Sequence, residues 1–135
     1  MKKIEHIGIA VKDLDTSNTL FEKLIGKPAY KLEEVASEGV ITSFFKSGPN
    51  KIELLAATSP DSPIAKFLAK KGEGIHHIAF AVDDIKNEIK RLKEEGFIVL
   101  NDKPKKGADN KLVAFLHPKS SNGVLIELCQ EIKKK

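Results

Sequence analysis

Hydrophobic and polar positions along residues 4–11 alternate with a period of two and are rich in β-branched side chains, which predicts a strand. His6, Gly8 and Ala10 then share one face, and Ile7, Ile9 and Val11 share the other. The period changes after Val11. Asp13 or Asp15 can cap a helix whose apolar face is Leu20, Phe21, Leu24 and Ile25, and Gly26 ends it. Segments near 29–35, 39–46 and 51–57 read as three further strands, separated by turn chemistry at Ser37-Glu38-Gly39 and Ser47-Gly48-Pro49-Asn50. This half of the chain is therefore β-α-β-β-β.

Residues 58–74 form a connector with one short helix. Ser62 is its cap, Pro63 lies in its first turn, Ile64, Phe67 and Leu68 recur at helical spacing, and Gly72 stops it. The second half repeats the first. A strand over 75–82 precedes a helix from about Asp84, with Ile85, Ile89 and Leu92 on one face and Gly96 at its end, and strands follow near 97–101, 111–116 and 123–130. At 135 residues with no Pro/Gly-rich or charge-block linker, the chain is expected to build one domain: module 1 over about 3–57, the connector over 58–74, and module 2 over about 75–131. Two copies of a unit this long suggest an α+β fold, with two β-α-β-β-β modules forming a pseudo-twofold open sheet around a shared cleft.

The repetition extends to chemistry. His6 opens His-Ile-Gly-Ile-Ala-Val and His77 opens His-Ile-Ala-Phe-Ala-Val, while Glu53 lies in Ile-Glu-Leu-Leu and Glu127 in Ile-Glu-Leu-Cys. His77 follows His6 by 71 residues and Glu127 follows Glu53 by 74, close to one spacing. Two imidazoles and two carboxylates supplied symmetrically by two modules suit a divalent metal site. A glutamate on an apolar strand is costly to bury without a cation or hydrogen-bond donors. The competing explanation pairs each glutamate with a lysine, or leaves it on an exposed edge, and treats the repetition as a relic of duplication.

Register with His6 selects His77 for the small-residue face, with Ala79 and Ala81, and turns His76 to the opposite face as a structural hydrogen-bonding residue. The small-residue face should line an open concavity and the bulky face should meet the helices. Glu53 shares a face with Leu55, and Glu127 with Leu125 and Cys129. His117 ends a strand, where a contact to substrate and a structural role in a loop are both open. Cys129 can face the pocket, although burial as a small apolar residue is the default for a free thiol.

Composition narrows the class. With 41% apolar residues a core is possible, and no apolar run is long enough for a membrane helix, which points to a chain with no membrane partner. A single cysteine excludes an internal disulfide and fits the cytoplasm. The net charge of +4 comes almost wholly from lysines interleaved with glutamates, with Arg91 the only arginine, no Trp and one Tyr. That pattern is a solvated, salt-bridged surface rather than a nucleic-acid face.

These residues resemble the vicinal-oxygen-chelate (glyoxalase/bleomycin resistance) superfamily, and the resemblance spans nearly the whole chain. Within it the chain is most similar to the methylmalonyl-CoA epimerases, through Asp61-Ser62-Pro63-Ile64-Ala65-Lys66-Phe67-Leu68, Gly74-Ile75-His76-His77-Ile78 and Phe115-Leu116-His117-Pro118-Lys119-Ser120, which leads to Gly123-Val124-Leu125-Ile126-Glu127-Leu128. The resemblance implies a divalent metal on His6, His77 and Glu127, with Glu53 as a further ligand or holding a metal-bound water; His/Glu ligation itself suits Co, Ni, Zn or Mn. It also implies a homodimer and an acyl-CoA substrate. Two departures stand out: some epimerases carry glutamine at the position of Glu53, and some carry a glutamate, proposed as one of two bases, where this chain has Thr42.

The implied reaction is interconversion of (R)- and (S)-methylmalonyl-CoA by α-proton abstraction through a metal-stabilised enolate, with Glu53 and Glu127 as the acid/base pair. Lys105, Lys106 and Lys119 are candidates for CoA phosphates beside the plainer reading as solvated lysines. One rival is a glyoxalase I-type isomerase acting on a hemithioacetal, which also uses a His, Glu, His, Glu set; the His-Pro-Lys-Ser segment argues against it. The other is a non-catalytic small-molecule-binding member of the same fold. An iron dioxygenase with two His and one Glu is disfavoured by Glu53.

Overall fold

The computed structural model describes residues 1–132. Among them are eight strands and three helices of four residues or more: β1 (Lys3–Ala10), α1 (Leu14–Ile25), β2 (Lys31–Val35), β3 (Val40–Ser47), β4 (Asn50–Ala57), α2 (Pro63–Lys71), β5 (Gly74–Ala81), α3 (Ile85–Glu94), β6 (Lys105–Lys106), β7 (Lys111–Leu116) and β8 (Ile126–Glu131). They belong to two compact units, His6–His76 and a second that joins Met1–Glu5 to the described residues 77–132. The α+β class and the repeated β-α-β-β-β order follow directly.

In the amino-terminal unit the strand order is β2-β3-β4-β1. β2, β3 and β4 are antiparallel neighbours, and β1 lies parallel to β4. The Gly48-Pro49 turn joins Ser47 to its cross-strand partner Asn50, so the hairpin register is set by turn length. Asp13 begins α1, its carboxylate accepting from Thr16 N at 3.1 Å, and Gly26 closes it in the left-handed conformation at φ 89° with N–H on Glu22 O.

One face of this sheet packs under α1, with Val11, Leu14, Phe45, Leu54 and Ala56 as the buried centre and Phe21 and Ile25 beside them. The expected apolar face of α1 is half right. Leu20 and Leu24 are 61% and 72% exposed, because the buried stripe instead runs through Leu14, Ser17, Phe21 and Ile25. The other face is covered by α2, whose Ile64 packs with Ala10, Val40 and Leu55. Ala10 is thus closed off rather than lining an open concavity. Gly39 lets the chain before α2 approach: a Cβ there would lie 2.8 Å from Ser62 Cβ, and the backbone turns at φ 63°.

In the carboxy-terminal unit the order is β5-β8-β7-β6. β8 is parallel to β5 and antiparallel to β7. Asp84 caps α3 on Asn87 N at 3.2 Å, and Ile85, Ile89 and Leu92 pack on Val82, Ala114, Leu116 and Leu128. Each buried Ile, Leu or Val side chain among them contributes roughly 1.5–3 kcal/mol. The opposite face buries Ala79, Val113 and Cys129 with Phe115. The strand expected over 97–101 reduces to a bridge from Val99 to Leu116, since the chain leaves the sheet after Leu100 and returns as β6, a short edge strand absent from the sequence reading. Before β5, Lys12 N donates to Glu73 at 2.8 Å within the amino-terminal unit.

Candidate active site

The strand register places each glutamate between a small residue and a phenylalanine. Glu53 on β4 lies opposite Gly8 on β1 and Phe44 on β3. Glu127 on β8 lies opposite Ala79 on β5 and Phe115 on β7. A small neighbour leaves room for the carboxylate, and an aromatic one keeps water from its flank. Both glutamates are buried.

Each carboxylate meets the histidine of its own module. His6 Nε2 lies 3.3 Å from Glu53 Oε1 with side chains 8% and 6% exposed, and His77 Nε2 lies 3.2 Å from Glu127 Oε1 with side chains 3% and 9% exposed. Charge removed from water to this degree costs several kcal/mol unless it is compensated. An imidazole nitrogen at this distance compensates it in either of two ways. It can donate a hydrogen bond, or it can share a cation with the carboxylate. The ring of Phe115 meets His77 edge-on at 6.2 Å and 85°, bracing the imidazole.

Within each module the spacing of histidine and glutamate suits two ligands of one divalent ion. Two ligand atoms bound at about 2.0–2.2 Å with tetrahedral to octahedral angles stand roughly 2.8–3.6 Å apart. Both His–Glu separations fall inside that window. Imidazole with carboxylate is also a donor combination that first-row divalent metals accept.

The other candidates fall outside these pairs. His76 packs its ring edge-on against Phe67 of α2 at 4.9 Å, as a structural residue would. His117 is exposed, and its Nδ1 accepts from Lys119 N at 2.9 Å, so it builds the turn after β7. Cys129 is buried on the Glu127 face beside Ala79 and Val113. Thr42 is 1% exposed and donates its hydroxyl to Glu33 O at 3.3 Å, which ties it to the sheet. Lys105, Lys106 and Lys119 are exposed.

Sequence reasoning overlooked the two phenylalanines. Counting outward from the two-residue Gly48-Pro49 turn reaches Phe44 opposite Glu53, so that signal was present. Phe115 opposite Glu127 depends on a longer connection and could not be counted the same way.

Comparisons with known proteins bear on this geometry. Residues 5–115 match the model of the Glyoxalase/Bleomycin resistance protein/Dioxygenase superfamily. The chain is 42% identical over 127 residues to the mitochondrial methylmalonyl-CoA epimerase of Dictyostelium discoideum, covering 93% of this chain and 76% of that protein. It is also 42% identical over 130 residues to the ethylmalonyl-CoA/methylmalonyl-CoA epimerase of Cereibacter sphaeroides, covering 95% and 97%. A methylmalonyl-CoA epimerase solved in complex with methylmalonyl-CoA and NH4+ superposes with a TM-score of 0.93 at 36% identity, covering 97% of this chain and 95% of that one. The repeated modules, the duplicated histidine–glutamate pairs and these likenesses along nearly the whole chain agree, and the chain belongs to the glyoxalase/bleomycin resistance superfamily and, within it, to the methylmalonyl-CoA epimerase family.

Proposed function

We propose that the chain interconverts the (R) and (S) forms of methylmalonyl-CoA. The observation that carries the reading is the pair of buried carboxylates, each 3.2–3.3 Å from an imidazole and each at the same place in its module. It is supported by epimerase relatives that match both ends of the chain. An epimerase must take the α-proton from one face of a carbon and return it on the other, which calls for two acid/base groups. Glu53 and Glu127 are the two assigned here, one from each module. Thr42, hydrogen-bonded and without a carboxylate, has no part in proton transfer.

The donors assigned to a divalent ion are His6, His77 and Glu127, all buried, with Glu53 joining through its contact with His6. When bound, such an ion supplies Lewis-acid stabilisation of the negative charge that develops on the thioester oxygen. The protein's own contribution is to keep the two carboxylates out of bulk water and to hold the imidazoles in fixed orientation against them. Co, Ni, Zn and Mn all suit this donor set. The reading further places the protein in the cytoplasm as a homodimer. Among the described residues no helix is long and apolar enough to cross a membrane.

Glu53 leaves one rival of substance, because a His, Glu, His, Glu set also serves hemithioacetal isomerisation. A coupled assay on (S)- and (R)-methylmalonyl-CoA, run beside a hemithioacetal assay on the same preparation, decides between them. Interconversion of the two thioester epimers is expected, and turnover of the hemithioacetal alone overturns the proposal.

A further inference from the structure

The two modules complete the edge beside their active-site phenylalanine in different ways. In the amino-terminal unit Tyr30 N donates to Phe44 O at 2.9 Å, and the backbone of β2 then runs on beside β3 as far as Val35. In the carboxy-terminal unit the matching bond is Leu100 N to Phe115 O at 2.8 Å, but the chain then turns away and pairs with β7 again only at Lys105 and Lys106. Across that gap the side chain of Asn101 stands where backbone would be. Its Oδ1 accepts from Phe115 N at 3.0 Å, and its Nδ2 donates to Val113 O at 3.4 Å and to Lys103 O at 3.1 Å.

A carboxamide carries the same donor and acceptor as a peptide group, so Asn continues the ladder where the chain has left it. No other side chain of this length supplies both. The residue held in this way is the one that matters to the site: Phe115 lies directly opposite Glu127 on β8 and meets the His77 ring edge-on at 6.2 Å. We propose that Asn101 is a positioning residue for the His77–Glu127 pair, acting through the backbone and ring of Phe115. Only its kinetic consequence rests on the epimerase reading; its effect on the geometry of His77 does not.

The test compares Asn101→Leu, which loses the donor and the acceptor, with Asn101→Asp, which keeps the acceptor for Phe115 N and places a repelling oxygen against Val113 O. Asn110→Gly serves as the control, since Asn110 bonds Ile132 at the far end of β7 and already has a positive φ of 56°. In NMR spectra of the metal-free protein, the ring protons of His77 feel the ring current of Phe115. Those resonances are expected to move in Asn101→Leu, to move less in Asn101→Asp, and to stay in place in Asn110→Gly. In the epimerase assay, kcat is expected to fall about tenfold in Asn101→Leu, as small misplacements of reacting groups do, with KM within about twofold. Should Asn101→Leu not fold, Asn101→Asp gives the same reading at smaller amplitude.

Unmoved His77 resonances in a folded variant overturn the proposal, as does an equal displacement in Asn110→Gly, which would mean general loosening of the loop. A wild-type protein inactive on methylmalonyl-CoA overturns the functional reading alone and leaves the resonance test of Asn101 standing.

Discussion

Glu53 and Glu127 each combine burial with an imidazole contact of 3.2–3.3 Å, so charge and shape can be separated by substituting the isosteric amide. In Glu127→Gln the amide fills the same space but accepts no proton, and epimerisation should fall by several orders of magnitude while the folded state persists in circular dichroism. Turnover near wild type would remove Glu127 from acid/base chemistry. Glu53→Gln gives a finer reading because the exchange can be followed from each side. If Glu53 is the second base, the variant still washes solvent deuterium into one epimer but fails to interconvert the two. Efficient interconversion would make Glu53 a ligand only and send the search for the second base elsewhere. The neighbouring histidines provide a third check by elemental analysis. His6→Ala and His77→Ala should lose most bound metal, whereas His76→Ala, which gives up a ring contact with Phe67, should keep it.

Elements differ in how their apolar residues are used, and denaturant unfolding can read the difference. Ile89 of α3 is 5% exposed in a buried cluster, so Ile89→Ala should cost about 2–5 kcal/mol. Leu24 of α1, at 72% exposed, should tolerate Leu24→Lys within about 0.5 kcal/mol. A large loss there would mean that another surface covers this face. On α3 the fork of Arg91 onto Glu88, at 2.9 and 3.1 Å, holds the Glu88 carboxyl below the usual carboxylate range. A lowered folded-state pKa stabilises the folded state above the ordinary carboxylate value, and that contribution is lost as pH falls through the lowered one. The Tm difference between wild type and Glu88→Gln should therefore be present at neutral pH, small because Arg91 is exposed, and vanish in acid.

For the molecule as a whole, an ion bound by folded donors and not by the unfolded chain raises stability by mass action. Dialysis against a chelator should lower Tm, and titrating Co2+ or Mn2+ back should raise it progressively with concentration. A Tm indifferent to both would show that the four buried side chains hold no ion and that each imidazole satisfies its carboxylate by hydrogen bonding alone.

Much of this molecule was legible in the one-dimensional pattern, because the information is local or repeated. Caps at Asp13, Ser62 and Asp84 act within three residues of themselves, and strand alternation assigns faces without reference to the rest of the chain. Duplication let the two histidine–glutamate pairs be recognised by recurrence alone. Other features depend on what packs where. Leu20 and Leu24 match a helical stripe as well as Phe21 and Ile25 do, and only the sheet beneath α1 selects Leu14, Ser17, Phe21 and Ile25 for burial. Likewise, residues 97–101 carry a strand pattern, yet Asn101 substitutes its side chain for the backbone ladder there, a choice that becomes visible only once β7 lies alongside. Periodicity states which residues share a face; which face is covered, and by what, is a contact between distant segments, and tertiary structure alone decides it.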